Sequence, residues 1–113
     1  MTDIDTALYE TCCAKPPDAS LLASLLAEGA NPNVDHYNVL GPLSPLCALI
    51  EHYEPAPLLE NIKLILEKGA EINYQSKTGL TALISAAIYD HVDIARYLLT
   101  VGANPNLQYS RTL

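Results

Sequence analysis

The residues of this 113-residue chain that could do chemistry are three histidines, three cysteines and thirteen carboxylates, and few of them are spaced to cooperate. Glu51, His52 and Glu54 form the densest set, a carboxylate–imidazole–carboxylate trio of ligand types that suit a divalent metal. They lie in a segment, 51–57, that also carries Tyr53, Pro55 and Pro57, a composition that reads as a loop. Two carboxylates and one imidazole in a loop are expected to be solvated rather than to hold a metal. His36, His52 and His91 fall in three different kinds of position, and no pair has zinc spacing on one helix. Neither a Gly-rich phosphate loop with its Lys nor a G-x-S-x-G elbow occurs. Cys12, Cys13 and Cys47 are odd in number and lack paired ligand spacing, which predicts buried, reduced thiols. These residues predict no catalysis, no metal and no cofactor.

Thirteen acidic against six basic residues give a net charge of −7. That excess argues against a nucleic-acid backbone or an anionic lipid surface as partner, since both need a basic face. It suits a basic protein partner, and it equally serves only to keep a small domain soluble. The start, MTDIDTALYE, has neither the basic n-region nor the apolar core of a signal peptide. No apolar run approaches the ~18 residues of a membrane span. A cytoplasmic location is expected, with delivery into a host cell as the alternative. The length predicts one domain with a modest core.

What organises the chain is a repeat. Gly-Ala-x-x-Asn occurs at 29–33, 69–73 and 102–106, at spacings of 40 and 33 residues. Periods of this size mark stacked supersecondary units. Between the last two copies, Thr81 can cap a helix that carries Leu83, Ala86 and Ala87 on one face. Asp90 is expected to stop that helix and cap the next, with Asp93 in its first turn favoured by the helix dipole. Ile94, Ala95, Leu98 and Leu99 form the second stripe, and Gly102 fits a C-terminal cap. Two antiparallel helices of this kind cannot bury their apolar face alone and must stack on neighbours.

Residues 79–103 resemble the ankyrin repeat, which opens G-x-T-P-L-H-x-A-A and closes L-L-x-x-G-A. GLTALISAA keeps Gly79, Thr81, Leu83, Ala86 and Ala87 and lacks the Pro and the His; HVDIARYLLTVGA keeps His91, Ile94, Leu98, Leu99, Gly102 and Ala103. The resemblance covers essentially the whole chain. It implies an all-α ankyrin-repeat solenoid of three antiparallel helix pairs with β-turn or hairpin fingers. Repeat 1, about 3–33, resembles an N-terminal capping repeat: Asp3 is a candidate cap, Ile4, Leu8 and Cys12 face inward, and Asp18 can cap a second helix bearing Leu21, Leu22, Leu25 and Leu26. Repeat 2, about 34–73, opens its first helix on Ser44-Pro45-Leu46 with Cys47 in place of the His. It absorbs two insertions, about three residues within 34–43 and about four within 51–57, and Leu58, Leu59, Ile62, Ile65 and Leu66 then form its second stripe. Repeat 3, about 74–106, is followed by the start of a further finger at 107–113. The outward face of repeat 3, drawn from Ile84, Ile88, Tyr89 and Tyr97, has no successor. That implies a longer parent protein, self-association through this end, or shielding by Tyr and Arg96.

The resemblance also implies a partner protein, held by the finger tips and by the exposed face of each first helix along a concave groove. The matching positions are Lys77, Thr78, Leu80, Ile88 and Tyr89 in repeat 3, and Val39, Leu40, Leu43, Glu51 and His52 in repeat 2. Seven Tyr without Phe or Trp add Tyr37 and Tyr74 as finger anchors, because Tyr joins apolar area to a polar tip. Tyr97 and Tyr109 are expected to cover the ends, and His91 matches the family's structural histidine. The expected function is a non-catalytic protein-binding module. A stand-alone, antitoxin-like inhibitor of a basic enzyme, a targeting segment of a larger enzyme or effector, and an assembly role are the alternatives.

Overall fold

Local sequence decides where the helices start. Asp18 Oδ1 accepts the Leu21 amide at 3.1 Å and opens α2 (Ala19–Ala27), behind α1 (Asp3–Cys13). Ser44 Oγ accepts the Cys47 amide at 3.2 Å and, with Pro45 in the first turn, opens α3 (Pro45–Ile50), ahead of α4 (Leu59–Glu67). Thr81 Oγ1 accepts the Ile84 amide at 3.2 Å and opens α5 (Ala82–Ile88). Each is a hydroxyl or carboxylate meeting an orphan amide of a first turn. The expected Asp90 cap of α6 (Val92–Thr100) is corrected: Asp90 turns the chain in a left-handed conformation, φ 59°, and His91 becomes the N-cap without a side-chain capping bond. The computed structural model describes residues 3–39, 41–52, 57 and 59–109.

The helices pack as three pairs, α1 on α2, α3 on α4 and α5 on α6; α3 lies between α1 and α5, and α2 meets α4. Leu8, Cys12, Leu22, Leu49, Ile50, Ile62, Ile65 and Leu98 close one continuous core. Leu21 and Leu99 were expected inward but stand about half exposed at 45% and 48%. Both lie on second helices at the ends of the stack, and α6 packs chiefly on α5 alone. The third pair also leaves Ile88, Val92 and Val101 exposed, while Ile84, Tyr89 and Tyr97 are half-buried. No helix among the described residues is long and apolar enough to cross a membrane.

The fingers differ in form. The longer one is a hairpin of β1 (His36–Asn38) and β2 (Gly41–Leu43), pairing His36 with Leu43, Tyr37 with Pro42 and Asn38 with Gly41. The shorter one is a turn closed by Gly79 N to Ser76 O at 2.8 Å and Ser76 N to Leu80 O at 3.0 Å. Gly79, at φ +92°, is required there: a Cβ would run into the carbonyl of Gln108, where the next finger begins.

Polar side chains tie each pair to the next. Asn33 Nδ2 donates to Gly69 O at 2.9 Å, and its Oδ1 accepts the Glu71 amide at 2.8 Å. Asn73 Oδ1 accepts the Asn104 amide at 2.8 Å one step on, and Asp5 Oδ1 accepts the Asn31 amide one step before. Asp35 takes both the Tyr74 hydroxyl at 2.7 Å and the Lys77 amide at 2.9 Å. Gln75, forty residues after Asp35, reaches Gly79 O and Gln108 O. The imidazoles form a second series: His91 Nε2 donates to His52 O at 2.6 Å, and His52 Nε2 to Cys12 O at 3.2 Å. Tyr9 stacks on His36 at 4.4 Å between centroids and fastens the hairpin to α1.

Asn33→Ala removes two bonds to the following loop and should lower stability by about 1 kcal/mol, read as a smaller urea midpoint at unchanged m-value. Burial pushes the His36 imidazole below its ordinary value of 6.5, although Asp5 and Asp35 pull it back in part. The folded state therefore binds fewer protons than the unfolded one, so this contribution is present above pH 6.5 and is lost as pH falls below it. His36→Phe, which keeps the stack, should flatten that part of the stability–pH curve measured by thermal unfolding between pH 5 and pH 7.5.

Candidate binding groove

The ends of α1, α3 and α5 face the β1–β2 finger across a groove. Within it lies a cleft of about 190 Å³. Glu51, His52 and Tyr89, which follow α3 and α5, form one wall with Ala48; Cys13 and Lys15, at the end of α1, and Asn38 and Leu43 of the hairpin form the other. The sequence therefore placed Leu43, Glu51, His52 and Tyr89 among the groove residues, and the fold brings these four to one cleft.

Their roles differ. Glu51 is half-buried, with Ser85 Oγ donating to Oε2 at 3.1 Å and the Tyr89 hydroxyl to Oε1 at 3.5 Å. Burial pushes its carboxyl above the usual value, and the two hydroxyls pull it part of the way back. His52, expected as an exposed contact, is 5% exposed. A carbonyl can only accept, so Nε2 carries the proton given to Cys12 O, and the Nδ1 of the neutral ring is an acceptor without a partner. Cys13 is exposed rather than buried as expected, while Cys12 and Cys47 are buried. Burial of its thiol, opposed by a bond to Tyr9 and reinforced by Glu10 and Glu51, keeps Cys13 protonated and a poor nucleophile.

On the fingers, Tyr37 is 66% exposed and Val39 wholly exposed, Lys77 is exposed and Thr78 half-buried. Tyr74 is half-buried with its hydroxyl held by Asp35. Ile88 is exposed beside Tyr89. Leu40 lies outside the described residues, as do Tyr53 and the trio's Glu54. Two expected contacts are corrected: Leu43 and Leu80 are 3% and 5% exposed and belong to the core. Each immediately precedes an N-cap, Ser44 and Thr81, where an apolar residue turns inward and fixes the angle of helix entry.

Sequence reasoning missed Cys13, Lys15, Asn38 and the buried Ser85. The spacing of Tyr9 and Cys13, four apart on α1, could have marked a second face of that helix away from Leu8 and Cys12. Asn38 and Ser85 carry no such signal. Among the described residues no three metal-ligand side chains are grouped to hold an ion. A larger hollow of about 500 Å³ lies on the second-helix side, where the Lys63 ammonium sits 5.2 Å over the Tyr97 ring.

Stacked helix pairs with short fingers, and first helices ending on a groove, define a helix-pair solenoid. The family model for ankyrin repeats, in three copies, matches residues 10–109, and the chain belongs to the ankyrin repeat family. It is 38% identical over 106 residues to R664 of Acanthamoeba polyphaga mimivirus, which is named for its ankyrin repeats; the match covers 92% of this chain and 64% of that protein. It is 35% identical over 74 residues to the mitochondrial disaggregase of Bos taurus, covering 66% of this chain and 11% of the relative. It is 44% identical over 46 residues to protein phosphatase 1 regulatory subunit 27 of Mus musculus, covering 41% and 30%. Ankyrin repeats in general mediate protein–protein interaction.

Leu80→Ala should cost about 2–4 kcal/mol in chemical unfolding as a core truncation, whereas Val39→Ala, at a fully exposed tip, should change stability by less than about 0.5 kcal/mol.

Proposed function

We propose that the chain is a non-catalytic binding module whose partner docks between the hairpin tip and the ends of the first helices. The observation that supports this most is a cleft that joins the half-buried Glu51 carboxylate and Tyr89 to Asn38 of the hairpin, whose sequence neighbours Tyr37 and Val39 are exposed. An apolar anchor beside a desolvated charge is the composition of an interface centre. The net charge of −7 suits a partner with a basic segment, and association should slow as salt rises. A groove of this length offers on the order of 800 Å² per side, the size of a specific complex. A second reading is a recognition element within a longer protein. The relatives favour it, because in them the matched stretch is a part of a longer chain.

The test is affinity capture from the native cell extract at low and high salt, with Tyr37→Ala/Val39→Asp as the control. Both substituted side chains are exposed, so the helical circular-dichroism signal and melting temperature should be unchanged. A protein captured at low salt, released at high salt and lost with the double variant is the expected result. Equal capture by the variant would rule out the hairpin side of the groove.

A further inference from the structure

We propose that the cleft between α1, α3 and the hairpin receives the guanidinium of an arginine from the docking partner, seated on the Glu51 carboxylate. The inference rests on the groove reading above and deepens it by naming the recognised group. Glu51 receives two hydrogen bonds, both from neutral hydroxyls, against the roughly four lone-pair sites of a carboxylate. Its charge is thus partly desolvated, and among the described residues the side chains bonded to it are neutral hydroxyls. A glutamine would fill the same space without a charge to desolvate, so the carboxylate is held where it costs stability. Such a group is useful when a cation arrives.

The walls discriminate among cations. Tyr89 stands beside the carboxylate, and an aromatic ring next to a carboxylate suits a planar guanidinium that can pair and stack at once. The nine-tenths-buried His52 lines the same cleft with an unused acceptor at Nδ1. The two oxygens of the carboxylate are matched best by parallel N–H donors in a fork, which a guanidinium has and an ammonium lacks. A volume of about 190 Å³ admits a side-chain head and little more. Lys15 is the opposing charge in the lining; it is exposed on the turn after α1, so it repels the incoming cation at the mouth without occupying the carboxylate.

The probe is the tripeptide acetyl-Gly-Arg-Gly-amide, titrated into the ¹⁵N-labelled chain and followed by amide chemical shifts, with the citrulline and lysine tripeptides alongside. Saturable shifts centred on Asn38, Glu51, His52 and Tyr89 are expected for arginine, with binding in the millimolar range for so small a ligand. Citrulline should give none, and lysine should bind more weakly. Glu51→Gln should weaken the arginine peptide by about tenfold or more while the melting temperature stays the same or rises. Lys15→Ala should tighten it by about two- to threefold. Equal shifts with citrulline, no shifts in the cleft, or unchanged affinity in Glu51→Gln would each overturn the proposal. Weaker binding in Lys15→Ala would overturn it too, marking the cleft as a site for anions. If the peptide fails while Tyr37→Ala/Val39→Asp still abolishes capture of the native partner, the arginine assignment falls and the groove stands. If that variant captures normally, the groove reading itself falls.

Discussion

The first helices of the second and third pairs are six and seven residues long, too short to persist alone in water. Everything else follows from that constraint. Each short helix is held by a neighbour on both sides or by a cap at its start, and each loop between pairs hangs on a side chain from the pair before. Asn33 and Asn73 do this for the loop backbone and Asp35 and Gln75 for the fingers, while the His52 and His91 rings reach back from the following pair to the ends of the first helices before them. The core supplies most of the driving force, as burial of Leu, Ile and Ala does elsewhere. These polar links set the register in which the pairs meet.

That register is what makes a groove. Because α3 is fixed between α1 and α5, the residues that follow α3 and α5 converge on the hairpin, and Glu51 is brought to Ser85 and Tyr89, 34 and 38 residues away. The stack thus positions a carboxylate in a half-dry wall, across a cleft from the hairpin, without any residue of the site being close in sequence to all the others. A rigid surface prepared before the partner arrives loses little freedom on binding.

Much of this was legible in the chain. The Gly-Ala-x-x-Asn spacing, the hydroxyl caps at Ser44 and Thr81 and the stripes of Leu and Ile report local geometry, and local geometry is what sequence periodicity encodes. The misreadings concern which way a residue points at a junction. Leu43 and Leu80 look like finger residues until their place before an N-cap is weighed. His52 looks like part of a solvated loop, yet its ring crosses 40 residues to Cys12, a distance set by an insertion whose placement the sequence left open. Cys13 follows the buried Cys12 directly and points the other way, so its exposure belongs to the helix face rather than to its residue type. Leu99 matches the repeat motif, but an end position in the stack has no helix to cover it.

The imidazole series has a consequence for how this chain tolerates change. His52 donates with its ring and accepts with its own carbonyl, so both halves of the link reside in one residue, immediately ahead of the segment that carries extra length. Residues added between His52 and α4 leave the link untouched, because they fall after it. The 40-residue unit can therefore stack in line with a 33-residue one. The same logic makes that stretch of sequence a natural insertion port: a tag, a reporter or an evolved loop added there leaves the His52 link, and with it the pitch of the stack, in place.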